Sequence, residues 1–225
     1  MKFRSIAIDG PSGAGKSSMA KALAKELNFL YVDTGAIYRT VGLEVFRRDI
    51  NPSDGPAVAE ILPELEIRMG YGEDGLQHML LGSEDVTESI RQHEISDYAS
   101  KVSAIPAVRA FLLEMQRKMA RENDVIMDGR DIGTVVLPNA GLKIFLTADV
   151  RDRAQRRFLE LQKRGQSTDF DTVLRDVIQR DKQDTEREIA PLRQAEDAAL
   201  VDTTGVDRAG SYSMLRNLVQ ERFGL

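Results

Sequence analysis

Gly10-Pro-Ser-Gly-Ala-Gly-Lys-Ser17 decides how the rest of this chain is read. It fits G-x-x-x-x-G-K-[ST], a loop whose backbone N–H groups wrap nucleotide phosphates. The residues before it, Phe3-Arg-Ser-Ile-Ala-Ile8, read as a buried strand. After it, Met19, Ala20, Leu23, Ala24 and Leu27 fall on one helical face. A strand, a glycine turn and a helix start together aim several N–H donors and a positive dipole end at an anion. Gly10, Pro11, Ser12, Gly13, Ala14, Gly15, Lys16, Ser17 and Ser18 are therefore the expected phosphate-binding residues. Lys16 is expected to reach the β- and γ-phosphates, and the Ser17 hydroxyl to bind Mg²⁺. With glycine at about 7% of residues, the bare motif arises by chance in on the order of 1% of chains this long. The flanking strand and helix argue against that origin.

Working outward, the 225 residues suffice for one α/β domain with small insertions. A net charge of −5 argues against general nucleic-acid affinity, which needs a basic surface. With no Cys, disulfides and thiolate zinc sites are excluded, and the two His are not at metal-ligand spacing. No apolar run is long enough to span a membrane, and Asp9-Gly-Pro11 interrupts any signal-like start. The expectation is a soluble, cytoplasmic monomer, with no long exposed apolar stripe to pair copies.

Strands and helices alternate along the chain, which predicts a mostly parallel sheet covered on both faces. Further strands are expected at Phe29-Leu-Tyr-Val32, Val125-Ile-Met127, Leu142-Lys-Ile-Phe-Leu146 and Ala199-Leu-Val201. A closing helix carries Leu215, Leu218, Val219 and Phe223. Two segments break the alternation. Leu65 to Met69 and Leu76 to Leu81, separated by Glu73-Asp-Gly75, suggest an antiparallel hairpin within about 63–87. Asn51-Pro-Ser-Asp-Gly-Pro56 reads as a flexible entry to it. Residues 149–187 are dense in both charge signs and are interrupted at Arg164-Gly-Gln-Ser167, predicting two polar helices with a mobile connection.

Asp128, at the end of an apolar strand, is placed to complete an Mg²⁺ site through water. Arg130 and Asp131 would share that carboxyl edge, where open α/β sheets bind ligands. A plain Asp-Gly turn with an Arg–Asp ion pair is the competing reading. Arg180, Asp184 and Arg187 lie at i, i+4 and i+7. On pattern alone they describe either a solvated, ion-paired helix or a phosphate- and ribose-binding face. Arg151, Arg153, Arg156, Arg157, Lys163 and Arg164 pose the same choice. A nucleotide switch protein would need an Asn-Lys-x-Asp guanine reader, which this chain lacks. Its Asp202-Thr-Thr-Gly205 fits D-x-x-G but comes too late in the sequence.

Four separated blocks occur in a telling order: Asp9 to Lys16, Asp33-Thr-Gly-Ala-Ile-Tyr-Arg39, Asp128-Gly-Arg-Asp-Ile-Gly-Thr134, and Arg180-Asp through Arg187-Glu-Ile-Ala-Pro191. Over nearly its whole length the chain resembles the bacterial-type cytidylate kinases. That resemblance implies a three-layer P-loop kinase fold with a parallel five-stranded sheet in order 2-3-1-4-5. It also implies a nucleoside-monophosphate-binding insertion at 63–103 and a lid with its following helix at 149–187. The implied reaction moves a phosphoryl group from ATP with Mg²⁺ to CMP, and to dCMP. Carried over by position, Ser100, Arg109 and Asp131 are similar to the family's cytosine readers. Arg39, Arg130 and Arg187 resemble its clamp on the acceptor phosphate, Arg130 and Arg187 joining Lys16 in catalysis. Arg180, Asp184, Thr34 and Tyr38 resemble its ribose contacts, Asp128 lies beside the acceptor, and Arg157 is assigned to ATP. Where the family often has Ser, Thr34 keeps the hydroxyl and adds a methyl. An aspartate suits cytosine, whose N4 amine donates, whereas uracil presents an acceptor there.

Overall fold

The computed structural model describes residues 3–72, 75, 77–163 and 165–225. Glu73 and Asp74 of the expected hairpin turn, Leu76 and Arg164 lie outside the described residues.

Ser5–Asp9 (β1) is buried on both faces, as its continuous apolar run requires. It pairs in parallel with Val125–Gly129 (β6) on one side and Leu142–Thr147 (β7) on the other. Leu30–Asp33 (β2) flanks β6, and Ala199–Asp202 (β8) flanks β7. The order is β2-β6-β1-β7-β8, which in chain order of these five strands is the 2-3-1-4-5 arrangement expected.

Side-chain alternation divides the core into two layers. Ala7, Val32 and Met127 face one way, toward Thr34–Arg47 (α2) and Pro106–Glu122 (α5). Ile6, Ile8, Ile126, Ile144 and Leu146 face the other, toward Lys16–Leu27 (α1) and Arg208–Phe223 (α8). Each fully buried Leu or Ile contributes roughly 1.5–3 kcal/mol by leaving water. Leu215 and Val219 of α8 are buried as the sequence pattern required.

A second sheet is inserted between α2 and α5. Ile67–Tyr71 (β3) and Gln77–Leu81 (β4) are antiparallel, and Glu84–Asp85 (β5) adds a third strand. The first of these starts two residues later than the alternation suggested, because Leu62–Glu64 forms a short 3₁₀ turn that Leu65 ends. His93–Val102 (α4) follows and packs on α2.

The stretch read as a flexible entry is partly helical. Asp54 caps Gly55–Ile61 (α3), accepting from the Ala57 N–H at 3.1 Å, with Pro56 in the first turn. Asp-Gly-Pro is a turn signal and equally a helix start, and here the cap decides. Asp54→Ala should destabilise the fold by about 1 kcal/mol. Unchanged urea unfolding would show the cap to be idle.

Val150–Lys163 (α6) and Phe170–Glu186 (α7) pack on each other around Ala154, Leu161, Val173 and Val177. That small cluster is separate from the two layers above. No helix among the described residues is long and apolar enough to cross a membrane.

Candidate active site

The carboxyl ends of β1, β2 and β6 and the loops beyond them open into a cavity of about 890 Å³. Residues 12–18 line one part of it, and Tyr38, Arg39, Arg109, Asp131 and Arg187 line another. Thr34, Asp128, Arg130, Arg157, Arg180 and Asp184 complete the expected residues on its wall.

The phosphate loop owes its shape to glycine. Gly10 has φ +149°, and a Cβ there would stand 1.9 Å from the Leu146 carbonyl oxygen, so backbone passes where no side chain fits. Gly15, at φ +94°, caps α1 without any side-chain acceptor. The first-turn N–H groups of α1 are thus left for a ligand. Pro11 does not line the cavity, but its carbonyl accepts from Lys16 Nζ at 2.8 Å. Burial, then the nearby Arg130, lowers the Lys16 pKa to about 7.

Behind the loop, Asp128 is 4% exposed. It accepts from the Ser17 hydroxyl and the Tyr31 hydroxyl, both at 2.8 Å. Burial, then the charge of Asp33, raises its pKa. Thr34 Oγ1 donates to the Asp128 carbonyl at 2.7 Å, tying the start of α2 to the same turn. Asp33 itself caps α2 through the Ala36 N–H.

A single π-helical turn, Ile132–Val136, follows Asp131. Asp9 anchors its start, accepting from the Ile132 and Gly133 N–H groups at 2.8 and 2.7 Å. Burial raises the Asp9 pKa to about 6 despite those two bonds. One carboxylate on the central strand thereby holds the turn that aims Arg130 and Asp131.

The acceptor-side charges form one network. Asp131 pairs with Arg109 and, at 3.4 Å, with Arg187. Asp184, only 2% exposed, pairs with Arg130 at 2.7 Å, Arg180 at 3.5 Å and Arg187 at 4.0 Å. Burial would raise the Asp184 pKa, but Arg130 and Arg180 outweigh it and hold the carboxyl below its ordinary value. Within 179–187, Asp184 is buried among these arginines while Gln179, Lys182, Gln183, Thr185 and Glu186 face solvent, so one face of the helix is ion-paired inward and the other is solvated. Arg187 lies one residue beyond the end of α7 in extended conformation, donating to the Ala190 carbonyl. Arg39 is looser, 3.8 Å from Asp33 and partly exposed. Arg157 donates to Glu160 on its own helix.

Ser100 is not on the cavity wall. Its hydroxyl donates to the Gln183 side chain of α7 at 3.1 Å. Ser103, one turn later, lines the cavity, and its carbonyl accepts from Arg109 at 3.1 Å. Ser103, Tyr31 and Asp9 escaped the sequence reading as site residues. Only Asp9, leading the first motif block, carried a signal that could have found it.

The cytidylate kinase family profile matches residues 6–211. A cytidylate kinase of Caldicellulosiruptor bescii is 52% identical, covering 92% of this chain and 91% of the relative. One from an Exiguobacterium species is 46% identical, covering 98% of each chain. An uncharacterized protein from Eubacterium ventriosum shares the fold, with a TM-score of 0.55 at 14% identity, covering 97% of this chain and 99% of the other. The chain belongs to the cytidylate kinase family.

Proposed function

We propose that this protein transfers the γ-phosphoryl group of ATP to CMP, and to dCMP, giving ADP and the pyrimidine diphosphate. The observation that carries this reading is the buried Asp131 carboxylate paired with Arg109, in the same cavity as Lys16. Asp131 accepts from the cytosine N4 amine, and Arg109 supplies a donor to the O2 and N3 edge. Arg39, Arg130 and Arg187 clamp the acceptor phosphate; Arg180, Asp184, Thr34 and Tyr38 hold the ribose. Residues 63–103 form the acceptor-binding insertion. The α6–α7 pair serves as the lid, a role its self-contained core supports.

The acceptor phosphate is largely ionised at neutral pH, so no strong general base is needed. Catalysis comes from in-line positioning and from cations placed where charge spreads in the transition state. Lys16 and Arg130, which line the same cavity, are assigned that task. Ser17 Oγ and the Asp128 carboxylate, hard oxygens 2.8 Å apart, fit Mg²⁺. Bound with ATP, that ion would neutralise charge on the β- and γ-phosphates. Closure of the lid excludes water and suppresses ATP hydrolysis. The protein acts as a cytoplasmic monomer; its exposed large apolar side chains, such as Phe46 of α2, Ile178 of α7 and Leu200 of β8, stand on different elements.

An ADP-release assay with CMP, dCMP, UMP, AMP and shikimate tests the reading. CMP and dCMP should give the highest kcat/KM. A faster reaction with UMP, AMP or shikimate would overturn it.

A further inference from the structure

Arg153 belongs to neither end of the cavity, yet it touches the machinery of both. Its side chain is buried on α6, and one guanidinium makes bonds to three separate elements. Nε donates to the Ala148 carbonyl at 2.8 Å, just past β7. Nη1 donates to the carbonyl of Ser12 in the phosphate loop at 2.9 Å. Nη2 pairs with Asp181 of α7 at 2.7 Å. The loop is also pressed onto this residue's backbone, since a Cβ at Gly13 would lie 2.8 Å from the Arg153 carbonyl oxygen.

Asp181 is committed to this contact. Its other carboxylate oxygen is buried without a hydrogen-bond partner. It is the immediate neighbour of Arg180 and lies three residues before Asp184, on the helix that carries the acceptor network. We propose that Arg153 and Asp181 are positioning residues that couple the two substrates, so that ordering of the phosphate loop by ATP sets the position of α7 for CMP. A planar guanidinium suits the task, because its donors keep a fixed mutual geometry. When phosphates order the loop, the Ser12 carbonyl moves with it. The fork then carries that displacement to Asp181, and a rigid helix carries it to Asp184 and Arg187. Linkage makes the effect reciprocal: ATP tightens CMP binding by the factor by which CMP tightens ATP binding.

This inference rests on the assignment of α7 to the acceptor, which can fail separately. Calorimetric Kd values for CMP are measured with and without a non-hydrolysable ATP analogue. They are taken for the wild type, Asp181→Asn, Arg153→Lys and the double variant. In the wild type the analogue should tighten CMP about 5-fold or more. In either single variant that factor should fall toward 1, with no further loss in the double variant. A purely structural role would lower the melting temperature or shift both Kd values equally, leaving the ratio intact. That outcome, or a wild type without coupling, overturns the proposal. Asp184→Asn should weaken CMP in the absence of the analogue; unchanged affinity would overturn the assignment of α7 and the coupling with it.

Discussion

Replacing Lys16 by Ala should reduce kcat by about 10³-fold or more, while the folded protein becomes no less stable. The first half follows from transition-state electrostatics. A single preorganised donor aimed at developing charge is worth about 10²–10³ in rate, and a cation on a transferring phosphoryl group about 10³–10⁵. The second half follows from burial. Lys16 is 5% exposed, and its ammonium donates to the Pro11 carbonyl. Desolvation depresses its pKa from 10.5 to about 7, so the fold disfavours the cation. Between about pH 7 and 10.5 the unfolded chain binds more protons at Lys16 than the folded one. The stability of the wild type relative to the variant should therefore rise with pH across that window. Lys16→Met, which keeps the apolar stem, separates charge from packing. Near-normal kcat in either variant would remove Lys16 from the reaction. A melting temperature below wild type for Lys16→Met at pH 7 would refute the burial argument.

The central sheet was legible because its evidence is local. A strand buried on both faces, a glycine loop and an amphipathic helix each leave a pattern within a dozen residues. The same locality explains what pattern left open. On charge spacing alone, 179–187 is equally a solvated helix. What buries Asp184 is Arg130, more than fifty residues away in sequence, delivered by the end of β6. No local pattern around Arg109 names its partner, Asp131, which comes from the next strand–turn unit. Ser100 entered the site by resemblance, and its hydroxyl instead meets Gln183 on α7. Asp54-Gly-Pro56 carried a cap and a loop signal at once, and no rule of composition ranks them.

Asp131→Asn should lower kcat/KM for CMP by about 10- to 100-fold, equivalent to roughly 1–3 kcal/mol for a base contact, and should spare or improve UMP. The carboxylate is 4% exposed and accepts from Arg109 and Arg187, so its orientation is over-determined before any base arrives. An amide keeps one acceptor for Arg109 and turns an NH₂ group toward the base. That group opposes the N4 amine of cytosine and matches O4 of uracil. The CMP:UMP ratio of kcat/KM should therefore collapse and can invert. Asp131→Ala is the weaker test, because it leaves two buried guanidiniums facing each other at about 3–5 kcal/mol in stability. Melting curves for both variants must accompany the kinetics. Suppose instead that a folded Asp131→Asn loses CMP and UMP turnover in equal proportion. Asp131 would then act by holding Arg187 toward the acceptor phosphate, and recognition of cytosine would have to come from Arg109 or another part of the wall.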